Sequence, residues 1–199
     1  MKKIFLSAIV IFMITTTAVS AFADDSRLTM EEQQGILQMR EEEKLARDVY
    51  LALYDTWNIP IFKNIAASEQ SHMDAVKTLI TEYRMEDPVA VDVRGVFKNA
   101  ELQKLYNDLT TLGKKDAVSA VTVGARVEEL DIFDLENLMA QTSKSDILAV
   151  YENLVKGSRN HLRSFYSQIQ GYGADFSPEY ITVTEFYEII SGSAERGRR

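Results

Sequence analysis

Four stretches of roughly 25 residues, each about 37 Å long at 1.5 Å rise per residue, carry apolar side chains at alternating three- and four-residue spacing. That spacing marks a helix seam facing partner helices. The first seam runs Ile36, Met39, Glu43, Ala46, Tyr50, Leu53; the second Phe62, Ile65, Glu69, His72, Val76, Leu79, Tyr83. The third runs Val118, Val121, Ala125, Glu128, Ile132, Leu135, Met139; the fourth Ile147, Val150, Leu154, Gly157 or Ser158, His161, then Phe165 or Ser164. Long seamed helices with short links between the first and second, and between the third and fourth, pack as antiparallel hairpins. The expected fold is all-α: a four-helix bundle with one crossover, plus a short helix over residues 99–112 between helices two and three.

Punctuation along the chain sets the boundaries. Thr29-Met30-Glu31-Glu32 has the pattern of a capping box, opening a helix to about Trp57 that stops at Asn58-Ile59-Pro60. Pro60 suits a first helical turn, and the second helix ends before Asp87-Pro88. The third long helix starts near Asp116; Ser143-Lys144-Ser145-Asp146 is expected to cap the fourth, which ends at Gly171. The bundle is expected over residues 28–172, followed by a C-terminal extension, 173–199, with one short helix near residues 184–190 and a frayed basic end.

Lys2 and Lys3, the apolar run Ile4–Ile14 and Ala21-Phe22-Ala23 ahead of Asp24-Asp25 describe a secretory signal peptide, residues 1–23, cut after Ala23. The competing reading is an uncleaved anchor; the Thr15-Thr16-Thr17 break and the small-residue site favour cleavage. The expected product is exported to a periplasm or beyond, with no stable membrane span after cleavage. It would keep 20 basic against 30 acidic side chains, a net charge near −10 that argues against nucleic acid as a partner. With no cysteine in the chain, disulfides, thiolate zinc sites and iron–sulfur clusters are excluded.

Polar chemistry then falls to carboxylates and two histidines, and both histidines sit on the seams. Glu43, Glu69, His72, Glu128 and His161 interrupt the apolar stripes near one level. Taken singly, each has a plainer explanation: Glu41-Glu42-Glu43 as a solvated acidic face, one histidine as a hydrogen-bonded core residue, E-x-x-H as chance. Their shared register across four helices is different. Three unpaired inward glutamates would repel and take up protons, whereas a divalent metal pair neutralises the whole set, so a dimetal site is expected.

The segment Glu43-Lys44-Leu45-Ala46-Arg47-Asp48-Val49-Tyr50 and the stretch from Phe62 to His72 resemble the first two helices of the rubrerythrin branch of the ferritin-like di-iron carboxylate superfamily. Val123–Ile132 and Gly157–Arg163 are similar to an uncharacterised ferritin-like branch, a domain of unknown function. The resemblance spans residues 28–171 and implies that each half of the bundle supplies one Glu and one E-x-x-H. Glu43 and Glu128 would be the lone carboxylates, and Glu69 with His72 one complete pair. At the other pair, Ser158 stands where the pattern has Glu; Asp131, or Glu129 after a small rotation, would replace it. Tyr50, with Tyr54 a turn further along, would lie close to the metals, and Ser158 would adjoin them.

The resemblance also implies two iron ions, with Mn or Zn sharing such ligands, and oxidoreductase activity of the ferroxidase or peroxidase type. Without cysteine there is no built-in electron-transfer iron, so an enzyme would need a separate electron donor. The alternatives are a non-catalytic bundle with a structural or single-metal site serving as an interaction module, or an acidic adhesin or chaperone without metal. An exposed apolar stripe on such long helices would permit a homodimer.

Overall fold

Thr29 opens the first helix with a closed capping box. Its Oγ1 accepts from the Glu32 backbone N–H at 3.1 Å, and Glu32 Oε2 accepts from the Thr29 N–H at 2.8 Å. The computed structural model describes residues 27–196, so the expected signal peptide lies outside the described residues. Helix α1 spans Met30–Trp57 and stops where Asn58 turns left-handed, φ 53°. Two residues later Pro60 begins α2, Pro60–Glu82. Asn99 and Asp116, accepting backbone N–H groups, cap α3, Ala100–Gly113, and α4, Ala117–Met139. Helix α5 is Ser145–Gly171, and α6, Val183–Ser191, is capped by Thr182. No strand occurs among the described residues.

The start of α5 differs from expectation. Lys144 is its N-cap but does not cap the helix through its side chain; instead Thr142 Oγ1 accepts from the Lys144 N–H at 3.1 Å and donates to Glu32 Oε1 at 2.7 Å. The same glutamate that caps α1 thereby secures the approach to α5.

Helix α1 packs on α2 and α4 on α5, while α1 also meets α4 and α2 meets α5. The consecutive long helices α2 and α4 are not neighbours, so residues 83–116 cross the bundle, with α3 lying against α1 and α4. The seams face the centre as predicted, and the two ambiguous positions resolve to Ser158 and Phe165, both fully buried. Gly124 on α4 leaves room for the Phe165 ring of α5, which a Cβ there would strike.

A buried ionic cluster fastens the crossover to α1. Asp48, fully buried, accepts from Lys44 Nζ at 2.5 Å, from Arg47 Nε and Nη2 at 3.0 and 2.8 Å, and from the Gly95 N–H at 2.8 Å. Lys44 also donates to Val93 O at 2.9 Å and lies over the Phe97 ring. Arg47 reaches Asp92 and Gln70. Four donors around one carboxylate, all away from water, are worth far more together than surface pairs.

The C-terminal segment lies against the bundle. Phe176, Ile181, Phe186 and Ile189 are buried in the common core. The chain is held as far as Glu195, whose carboxylate accepts from Arg159 at 2.9 and 2.7 Å and from Arg163 at 2.8 Å; the last three residues of the expected frayed basic end lie outside the described residues. Among the described residues no helix is long and apolar enough to cross a membrane.

Candidate metal centre

Because Glu69 and His72 are three apart on α2, their side chains leave one face one turn apart, and both point into the bundle. Glu69 Oε2 lies 2.7 Å from His72 Nδ1, and its Oε1 lies 2.8 Å from Nδ1 of His161 on α5. Glu43 Oε2 on α1 stands 3.2 Å from His72 Nδ1; Glu128 Oε2 on α4 stands 3.3 Å from His161 Nδ1. The result is two triads, Glu43–Glu69–His72 and Glu69–Glu128–His161, each with its donor atoms within 4.8 Å of one another. Glu69 belongs to both. The three carboxylates are 1–2 % exposed, and the imidazoles are stacked with centroids 5.6 Å apart.

Hydrogen bonding does not use up these atoms. Glu43 Oε1, Glu69 Oε1 and His161 Nδ1 are buried with no hydrogen-bond partner, although the last two are only 2.8 Å apart. Atoms that close yet not aligned on each other converge on a shared point, as ligands do. Buried polar atoms left unpaired are costly, and two carboxylate–imidazole triads sharing one carboxylate suit a pair of divalent cations in chemistry and charge. The residues present fit such a group.

The surroundings hold some donors and not others. Tyr50 O–H donates to Glu128 Oε1 at 2.5 Å, with the Tyr50 ring packed against both Phe62 and Phe165. His161 Nε2 lies 3.1 Å from Ser68 Oγ, which sets the ring so that Nδ1 faces the centre. The His72 ring rests on Gly157, where a Cβ would stand 2.5 Å from Cε1 and Nε2. Gly157 is one of the two alternatives at its level of the fourth seam, whereas Ser68, next to Glu69 and one turn from His72, carries no signal of its own.

Placement separates the two candidate replacements for the absent glutamate. Asp131 is hydrogen-bonded by the Ser158 hydroxyl, beside the centre but outside both triads. Glu129 is not at the centre. Its position lies 100° round α4 from Glu128, and its Oε1 accepts the backbone N–H groups of Glu179, Tyr180 and Ile181. Tyr54 has Lys63 over its ring and no hydrogen bond to the centre.

Burial pushes the Glu43 carboxyl up to about 8 and, with the Glu69 charge adding to it, the Glu128 carboxyl up to about 7. Burial also works to raise Glu69, but His161 and His72 hold it well below the usual range. Burial alone would lower the imidazoles; Glu69 and Glu128 raise His161 to about 10, and Glu43 and Glu69 raise His72. A sign follows for the metal-free protein. Unfolded, Glu43 and Glu128 are ionised above pH 4.5, whereas folded they keep their protons to about 8 and about 7. Unfolded, His161 sheds its proton near 6.5 but in the fold only near 10. Between pH 6.5 and 8 the folded state binds more protons, so stability falls as pH rises. Thermal melts in chelator at the two pH values are expected to show a lower midpoint at pH 8. With a divalent cation added the order reverses, because ligands must shed protons to bind.

This chain is 54 % identical over 170 residues to the uncharacterised protein MJ0754 of Methanocaldococcus jannaschii, covering 85 % of this chain and 92 % of that one. It superposes on the crystal structure of that hypothetical protein with a TM-score of 0.84 at 53 % identity, covering 85 % of this chain and 97 % of the other. Residues 32–193 match the uncharacterised protein domain DUF2202, and at that coverage the chain belongs to the DUF2202 family.

Proposed function

We propose that this chain is a ferritin-like dimetal protein whose centre holds two iron ions and reacts with oxygen or peroxide. One observation carries the proposal: Glu69 has an oxygen 2.7–2.8 Å from each of two inward-facing imidazole nitrogens, with a further carboxylate on either side. The helix adjacency, with α1 against α4, α2 against α5 and a crossover between them, supports the ferritin-like assignment. Iron bound there would supply one-electron cycling between ferrous and ferric states.

Glu69 would serve as a ligand to both cations, with Glu43 and Glu128 as the further carboxylates on either side. His72 and His161 present Nδ1 as neutral donors once their protons have left. Tyr50 orients Glu128, while Phe62 and Phe165 keep water from that side. Asp131, kept close by Ser158, adds negative charge without joining either triad. Reducing equivalents would come from a separate donor, and the exported form would begin after Ala23.

Anaerobic loading of the purified protein with Fe²⁺ is expected to give two equivalents, and subsequent exposure to oxygen or peroxide to consume the oxidant. Glu69→Ala is expected to abolish both. Two bound equivalents without oxidant consumption would favour a structural, non-catalytic centre, a reading the serine at position 158 also supports. Less than one equivalent of any transition metal would end both.

A further inference from the structure

The two triads share Glu69 and the same ligand types, yet their surroundings are unequal. In the Glu128–His161 half both unshared ligands have a partner outside the triad. Glu128 receives the Tyr50 hydroxyl at 2.5 Å, from a ring packed against Phe62 and Phe165. His161 is set by Ser68 at 3.1 Å through the nitrogen that faces away from the centre. In the Glu43–His72 half neither ligand is held from behind. Glu43 Oε1 is buried without a hydrogen-bond partner. His72 Nε2 has no hydrogen-bond partner among the described residues and faces the bare backbone of Gly157. The two histidine side chains are similarly exposed, 13 % for His72 and 11 % for His161, so the halves differ in what holds their ligands and not in their access to solvent.

Resting on the dimetal reading above, we infer that the two cation positions do different work: the Glu128–His161 position keeps a resident ion, and the Glu43–His72 position exchanges. Groups that hold ligands from behind change metal affinity by roughly 10–100-fold, and here both such groups serve one half. In the unheld half the His72 ring lies against the bare backbone of Gly157 between α2 and α5, with no hydrogen bond to fix it as Ser68 fixes His161. A divalent cation reaches and leaves the centre there by a swing of that ring, with Glu43 free to follow. In an Fe²⁺-oxidising reaction this is the position of the substrate ion; the other ion stays.

Titration of the purified metal-free protein with Co²⁺, followed by calorimetry and by metal content after chelating resin, tests the inference. The expected result is two steps at least 10-fold apart in affinity, with one equivalent surviving the resin. Tyr50→Phe and Ser68→Ala, separately, are expected to weaken the tight step by 10–100-fold and leave the weak one in place. Glu43→Gln is expected to delete the weak step alone. Gly157→Ala, whose Cβ would push the His72 ring aside, is expected to weaken the weak step alone, and its melting curve shows whether the bundle still folds. Two equivalents bound with one affinity, or loss of the tight step in Glu43→Gln, would overturn the inference while leaving the dimetal reading intact. No Co²⁺ binding by the unmodified protein would overturn both.

Discussion

Glu69→Gln is expected to strip both cations from the protein and leave a folded bundle. The substitution keeps volume and shape but removes the one charge that faces both imidazoles, at 2.7 and 2.8 Å. Outer partners of a ligand alone are worth 10–100-fold in affinity, so losing the shared anion is expected to cost more than about 100-fold at each position. Metal content after dialysis reads this directly. The metal-free fold is better protected, for a chemical reason. Breaking a buried ion pair ordinarily costs about 3–5 kcal/mol because a charge is left alone. Here Glu43 and Glu128 hold protons up to about 8 and about 7, and on losing them can take over as partners of the histidines. A melting midpoint in chelator close to that of the unmodified protein is the expected outcome; collapse of the fold would show that Glu69 is primarily structural.

Asp48→Ala is expected to be the most destabilising single change outside the centre. It would leave Lys44, 1 % exposed, with the Val93 carbonyl as its remaining short contact, and would take from Arg47 and the Gly95 N–H a shared acceptor. Removing one partner from a buried ionic cluster costs about 3–5 kcal/mol, and Asp92, 3.9 Å from Lys44 and still paired with Arg47, keeps the loss at the lower end. For a domain of this size that lowers the melting midpoint by on the order of 10 °C. Asp48→Asn, which keeps an acceptor but not the charge, is expected to fall between. The damage should begin in residues 89–97, so hydrogen exchange there is expected to accelerate before that of the seams; uniform acceleration would count against the crossover as the weak point.

The helices were legible because seam spacing and caps are local properties. Glu43, Glu69, His72, Glu128 and His161 were legible as a group because each breaks an apolar stripe at the same level, and the structure brings all five together. Glu129 shows the limit of that method. One residue from Glu128, it points 100° away and serves backbone N–H groups of residues 179–181, a contact set by how the C-terminal segment folds back. Lys44, Arg47 and Asp48 stand in the segment that carries the resemblance but lie off the apolar spacing of α1, so nothing local marks them as buried. Their burial depends on a crossover without periodicity, and only the folded loop supplies Val93, Gly95 and Asp92. Glu195 was hidden in the same way: nothing near it in sequence announces Arg159 and Arg163.

Each contact that supports the Glu128–His161 triad runs between the two helix hairpins. Tyr50 on α1 reaches Glu128 on α4; Ser68 and Glu69 on α2 reach His161 on α5. The first hairpin carries Glu43, Glu69 and His72 by itself, whereas the second, lacking a carboxylate at position 158, has a complete triad only when docked. Drawing the hairpins apart therefore breaks all three contacts together, which ties the two halves of the bundle into one cooperative unfolding unit. A carboxylate at position 158 would let the second hairpin complete a triad by itself, leaving the Tyr50 and Ser68 contacts as the ties between the halves.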